Sequence, residues 1–174
     1  MSSSLPDGAE EFIKAHLEAL RRYAFVLTGN MADADDLAQI AIVKVWERWD
    51  ELSEYAYAYA KRVIATRNVS RWRRTRRELL TADSDSRPSR DLGKEIRDPQ
   101  MWQALQELDQ FDRMVVVLHV LDGYTFGEIA EIARRPQGTV SSRYSRAVAK
   151  LRERLEGRRV VDIDQVLVPQ LGPS

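Results

Sequence analysis

The sequence predicts an all-α protein: two small helical domains joined by a flexible linker. Three observations carry this. Apolar residues recur at helical spacing through residues 9–80 and again through 100–157. Between them, residues 81–99, TADSDSRPSRDLGKEIRDP, are rich in Ser, Asp, Arg, Pro and Gly and almost devoid of apolar side chains. No stretch alternates strongly enough between apolar and polar residues to predict a strand. The expected boundaries are a first domain at 1–80, a linker at 81–99, a second domain at 100–157 and a tail at 158–174.

The elements follow in order. In residues 9–29, Phe12, Ile13, Leu17, Leu20, Ala24 and Leu27 form a helical stripe, and TGN ends it. A second helix reads from ADADDLAQIAIVKVWERW, with Asp33 as its expected N-cap and Asp35 and Asp36 in its first turn. Leu37, Ile40, Val43 and Trp46 follow three apart, widened by Ala41 and Ile42. A third helix is expected from Ser53 to about Leu80. In the second domain, Thr125 and Glu128 have capping-box spacing ahead of Ile129, Ala130, Ile132 and Ala133. RRPQG breaks that helix, and a longer one is expected from Gln137 to Leu155. On it Val140, Tyr144, Ala147, Leu151 and Leu155 share one face.

Composition narrows the class. The chain has 174 residues, enough for one medium domain or two small ones. It has no cysteine, which removes disulfides, thiol chemistry and cysteine-bound zinc, and fits a reducing cytoplasm. The start, MSSSLPDGAEEF, has no secretory pattern. The longest apolar run, MVVVLHVL, is too short to span a membrane and is interrupted by His119. A cytoplasmic protein without membrane insertion is expected. The two histidines, His16 and His119, are too isolated for a catalytic or metal site, so no enzyme activity, metal or cofactor is expected.

The chain is formally neutral, with 27 basic and 27 acidic residues, but the charge is segregated. Residues 1–54 hold 5 basic and 11 acidic residues; 55–78 hold 8 and 1. Residues 79–132 again hold 5 and 11, and 133–159 hold 9 and 2. Two basic blocks in separate parts of one chain suggest two places that meet a polyanion. A solvated helix face is the alternative for either block taken alone.

The second block has helix-turn-helix form. Thr139, Arg143, Arg146 and Lys150 make a polar, basic face beside the apolar one. In such a motif the second helix enters the major groove with its first residues at base edges. Small Thr139, Ser141 and Ser142 would let the backbone approach, and Arg143 or Arg146 could pair with guanine. Spacing alone also fits an ordinary helical hairpin with a charged outer face.

The residues also resemble a known family. GTVSSRYSRAVAKLRE and the upstream TFGEIAEIA resemble the DNA-binding domain of group IV, extracytoplasmic-function (ECF) sigma factors of the sigma-70 family. YAFVLTGNMADADDLAQIAIVKVWERWDEL and AYAYAKRVIATRNVSRWRRTRRE are similar to that family's first domain, in an actinobacterial form. The likeness covers about 10–80 and 100–157, in order. It departs at Arg134-Arg135-Pro136, where the family has a small turn ending in Ile-Ser, and at Ser141, where it often has Lys. It departs again at LDQFDRMVVV, where the family has Leu-Pro-x-(Arg/Lys).

The resemblance implies a factor that binds core RNA polymerase and directs it to promoters. It implies that Asp33, Asp36, Leu37, Gln39, Ile40 and Val43 dock on the β′ clamp helices, although those apolar residues also suit an internal core. The β flap is a second implied contact on the polymerase. Lys61, Arg62, Arg67, Asn68, Arg71, Trp72, Arg73 and Arg74 would lie along the minus-ten element, with Trp72 either core or stacking platform. The loop at 50–57 sits where the family holds a flipped promoter base. Thr139, Ser141, Ser142, Arg143, Arg146 and Lys150 would read the minus-thirty-five element. An anti-sigma factor is a further partner the resemblance allows. A two-domain helix-turn-helix regulator that ignores core polymerase is the rival reading. The apolar tail segment VVDIDQVLV is a candidate for an added contact.

Overall fold

The structure, a computed structural model, describes residues 6–79 and 99–155. The expected linker, apart from Pro99, and the tail lie outside the described residues. Among the described residues all regular structure is helical. The helices are α1 (Ala9–Thr28), α2 (Met31–Glu47), α3 (Trp49–Leu52), α4 (Ala56–Leu79), α5 (Pro99–Glu107), α6 (Gln110–Asp122), α7 (Phe126–Ala133) and α8 (Gln137–Arg154). A 3₁₀ turn, Ser53–Tyr55, joins α3 to α4. The chain divides into two compact units, Met1–Asn68 and Val69–Ser174. The division falls inside α4, not at the polar stretch. The reason is local: the last turns of α4 bury Trp72, whose ring stacks on Phe111 at 4.5 Å within the second unit.

In the first unit α1 packs against α2. Leu20, Ala24 and Leu27 of α1 are fully buried, as are Ala34, Leu37, Ala38 and Ala41 of α2. Three alanines on that face let the helix backbones approach closely. The turn between the helices depends on Gly29, whose φ of 67° is the left-handed conformation that ends helices. Asn30, not Asp33, caps α2: its side chain accepts a hydrogen bond from the Asp33 backbone N–H at 3.1 Å. The helix therefore starts earlier than the aspartates suggest, and Asp33 lies in its first turn. Asp35 instead ties the helices together, accepting from Arg21 Nε at 2.5 Å. Trp49 closes the unit's other end, packing on Phe12 and donating from its indole N–H to the Asp7 carbonyl at 3.0 Å.

The second unit is built around α6. Met114 to Leu118 are fully buried all round, as expected of a central helix. Met101, Ala104, Leu105 and Leu108 join Val116 and the α8 residues Ala147, Val148, Leu151 and Leu155 in one cluster. Thr125 and Glu128 form the expected capping box, and Gly123 ends α6 at φ 67°. His119 is structural: its Nδ1 lies 2.7 Å from the Tyr124 carbonyl, and its ring stacks on Phe126 at 4.4 Å. Arg134 ends α7 with φ 51°, and among the described residues it is the one non-glycine with positive φ. Pro136 occupies the N-cap of α8, and its carbonyl accepts from Thr139 and Val140 N–H at 3.0 and 3.2 Å.

One residue in this core is costly. Arg113 is 6% exposed. Its Nη1 donates to Gln106 Oε1 at 3.2 Å, while its Nε has no hydrogen-bond partner. Burial pushes its pKa down to about 10, against the opposing charge of Asp109. The folded state therefore disfavours the charge at neutral pH, and that cost fades as pH rises above about 10 toward the ordinary arginine range. Arg113→Met is expected to stabilise the protein at pH 7, by about 1–3 kcal/mol. Thermal unfolding at pH 7 and at higher pH checks this, because the advantage must shrink as the wild-type arginine loses its proton.

Candidate nucleic-acid interface

The basic block of α4 forms because a helix holding eight Lys or Arg over residues 61–77 cannot bury them all. Arg62, Arg67, Arg74, Arg76 and Arg77 are exposed. Lys61, Arg71 and Arg73 are half-buried. Lys61 Nζ sits 4.6 Å from the centre of the Tyr23 ring. Arg73 donates to Ser70 Oγ at 3.3 Å. Burial, then the charges of Arg134 and Arg77, lower its pKa. Such crowding of like charge favours the arrival of an anion.

Two sequence-predicted members of this block are placed differently. Asn68 is 1% exposed and Trp72 8%. Asn68 continues the buried i, i+4 row of Ala56, Ala60 and Ile64. Trp72 stacks on Phe111, with the Arg76 and Arg135 guanidiniums 5.5 and 5.6 Å from its ring centre. Neither side chain is available to an unstacked base here. Tyr55, a residue that helical periodicity does not single out, is 70% exposed, in the loop predicted to hold a base.

On α8 the apolar face is buried as expected: Val140, Ala147, Leu151 and Leu155, with Tyr144 half-buried. Thr139, Ser142, Arg146 and Lys150 are polar residues of the opposite side, and all four are exposed. Ser141 and Ser142 hydroxyls donate to the Gly138 and Thr139 carbonyls at 3.2 and 3.1 Å. Arg143 differs from its neighbours. It is bound to Asp109 at 2.5 Å and to Asp112 at 2.6 Å.

The α2 residues separate by helical phase. Leu37 is fully buried, whereas Val43 is 46% exposed and Trp46 38%. Residues three apart step about 60° around a helix, so three steps from Leu37 to Trp46 cross from core to solvent. Leu37 is thus a core residue and not a docking one. Asp36, Gln39, Val43 and Trp46 form the exposed edge, with Asp33 and Ile40 half-buried beside it. Trp46 belongs to this edge, and its position nine residues after Leu37 is the signal that marks it.

Two family descriptions match the chain in sequence order: "Sigma-70 region 2" over residues 12–78 and "Sigma-70, region 4" over 104–153. The RNA polymerase sigma-E factor of Streptomyces avermitilis is 33% identical over 86% of this chain and 86% of its own. The ECF sigma factor EcfG of Rhodopseudomonas palustris is 30% identical over 84% of each. The chain belongs to the ECF RNA polymerase sigma factors. Among solved structures, the sigma factor RpoE of Bartonella quintana, seen in complex with the anti-sigma factor NepR, is similar with a TM-score of 0.54. It is 25% identical, over 86% of this chain and 98% of that one. As an ECF sigma factor, the protein works with core RNA polymerase to start transcription at promoters. Among the described residues no helix is long and apolar enough to cross a membrane.

The phase of α2 makes a direct stability test. Leu37→Ala is expected to cost about 2–5 kcal/mol, as for a fully buried leucine. Val43→Ala should stay within about 0.5 kcal/mol. Chemical denaturation of both variants measures the contrast; equal losses would mean that α2 is rotated from the orientation described.

Proposed function

We propose that this sigma factor acts in the cytoplasm on a stress- or signal-responsive set of promoters, without covalent chemistry or a cofactor. The observation that best supports this is the order of the chain: an exposed apolar edge on α2, a basic face on α4, and a second basic face on α8. Residues 1–80 act as the region 2-like domain, 81–99 as a linker and 100–157 as the region 4-like domain. Asp36, Gln39, Ile40, Val43 and Trp46 form a polar-rimmed apolar patch suited to a β′ clamp helix. The α4 block follows the phosphates of the minus-ten element as it melts. Thr139, Ser142, Arg146 and Lys150 face the major groove of the minus-thirty-five element. An anti-sigma factor that covers these surfaces is the expected regulator, since the similar Bartonella protein was solved with one.

The test is transcription with purified core polymerase on a pool of genomic fragments. The protein should co-elute with core enzyme and select a discrete set of start sites; failure to do either rejects the proposal. Val43→Asp with Trp46→Asp should weaken co-elution at least tenfold while leaving the fold intact by circular dichroism. Arg62→Ala with Arg74→Ala should retain polymerase binding but reduce permanganate reactivity of the promoter bubble. Unchanged reactivity would remove α4 from the melting step.

A further inference from the structure

We propose that Arg143, midway along the helix assigned to the minus-thirty-five element, is a positioning residue that locks α8 to the first turn of α6, leaving DNA contacts to its exposed neighbours. This rests on the reading of α8 as the upstream-element reader.

Arg143 meets three groups of α6 and its cap. Its Nη2 donates to Asp109 Oδ2 at 2.5 Å. Its Nε lies 2.6 Å from Asp112 Oδ1, an ion-pair contact whose angle falls outside hydrogen-bond geometry. Its guanidinium carbon is 5.5 Å from the centre of the Phe111 ring. The arginine side chain is 26% exposed and that of Asp112 only 5%. Asp109 is itself committed twice. Its Oδ1 caps α6 by accepting from the Asp112 N–H at 2.9 Å, and its Oδ2 takes Arg143.

A DNA phosphate could take the Nε and Nη2 edge of Arg143 only by displacing these carboxylates. That would leave the Asp112 charge buried without its partner, which is strongly unfavourable. Arg146 and Lys150 carry no such penalty, being exposed on the same helix. Burial and the nearby Asp109 push the Asp112 carboxyl pKa up, against Arg143, Lys150 and Arg146. Compared with apolar groups of similar size the whole cluster adds little stability, whereas removing Arg143 alone strands a buried charge; what the cluster adds is orientation. Base readout needs side chains fixed to about 0.5 Å. A second, exposed and weaker tie lies at the other end of α8: Arg154 donates to Glu107 of α5 at 2.7 Å from Nη2 and 3.1 Å from Nε. A planar guanidinium can span two carboxylates at once, which a lysine ammonium does less well.

Salt dependence separates positioning from DNA contact, because removing one phosphate interaction lowers the slope of log K against log salt by about 1. The full chain, bound to core polymerase, is titrated with duplex promoter DNA selected in the transcription experiment. Arg146→Ala should lower the slope or relax preference at one base pair. Arg143→Ala should weaken binding at least tenfold with the slope and base preferences of the wild type, and should lower the melting temperature. If Arg143→Ala folds poorly, Arg143→Met combined with Asp112→Leu replaces the cluster with apolar groups of similar size. That double variant should regain the melting temperature and most of the binding. A slope lowered by about 1 in Arg143→Ala, or a well-folded double variant that still fails to bind, overturns the proposal. So does an Arg143→Ala melting temperature equal to wild type, a measurement that needs no DNA. Absence of any promoter selected by the wild type rejects instead the parent reading of α8.

Discussion

Everything functional in this protein has to fit on whatever its helices leave after building their cores. Each helix has one circumference, and a core face takes a wide part of it. The exposed edge of α2 exists because Ala34, Leu37, Ala38, Ala41 and Val45 already satisfy the packing against α1. The basic edge of α8 exists because Val140, Ala147 and Leu151 supply its core contact. Small core residues matter here as much as large ones. Alanines on α2 bring it close to α1, so few turns suffice to bury the apolar surface and the remaining face is left for charge.

The same constraint explains what the sequence makes legible. Elements with strong local signals are readable: the Thr125–Glu128 capping box, the glycine that ends α1, and the four-residue rhythm of α8. Periodicity also identifies the two basic blocks, because charge at helical spacing needs no tertiary information. What the sequence obscures depends on phase or on partners distant along the chain. A three-residue rhythm reads as one stripe from Leu37 to Trp46, yet it crosses from core to solvent. Asn30 is hidden as a cap by the more conspicuous aspartates that follow it. Asn68 and Trp72 share the spacing of the basic face but point inward, and nothing local to α4 announces Phe111. Arg143 has the spacing of a DNA reader, while its partners lie 31 and 34 residues earlier.

Segregated charge with zero net balance has its own logic. A long-range positive field speeds encounter with DNA but also promotes indiscriminate binding. Acidic segments flanking each basic block confine the field to short range. Several of these acids do more than dilute it. Glu107, Asp109 and Asp112 lie in the acidic segment before the recognition helix, and each takes an arginine from α8. They occupy cations in the way phosphates would.

The count of arginines in a basic block is therefore an upper bound on its contacts with DNA. Residues 133–159 hold 9 basic side chains, but Arg143 and Arg154 are engaged by carboxylates within the fold. The two engagements differ in depth. Arg154 and Glu107 are both more than half exposed, so this pair is weakly held and can be exchanged for a phosphate at small cost. Arg143 rests on a buried carboxylate and an aromatic face, so exchange would strand a charge. Burial of the partner, more than distance to it, decides which arginines remain available to DNA and which hold the reader in place.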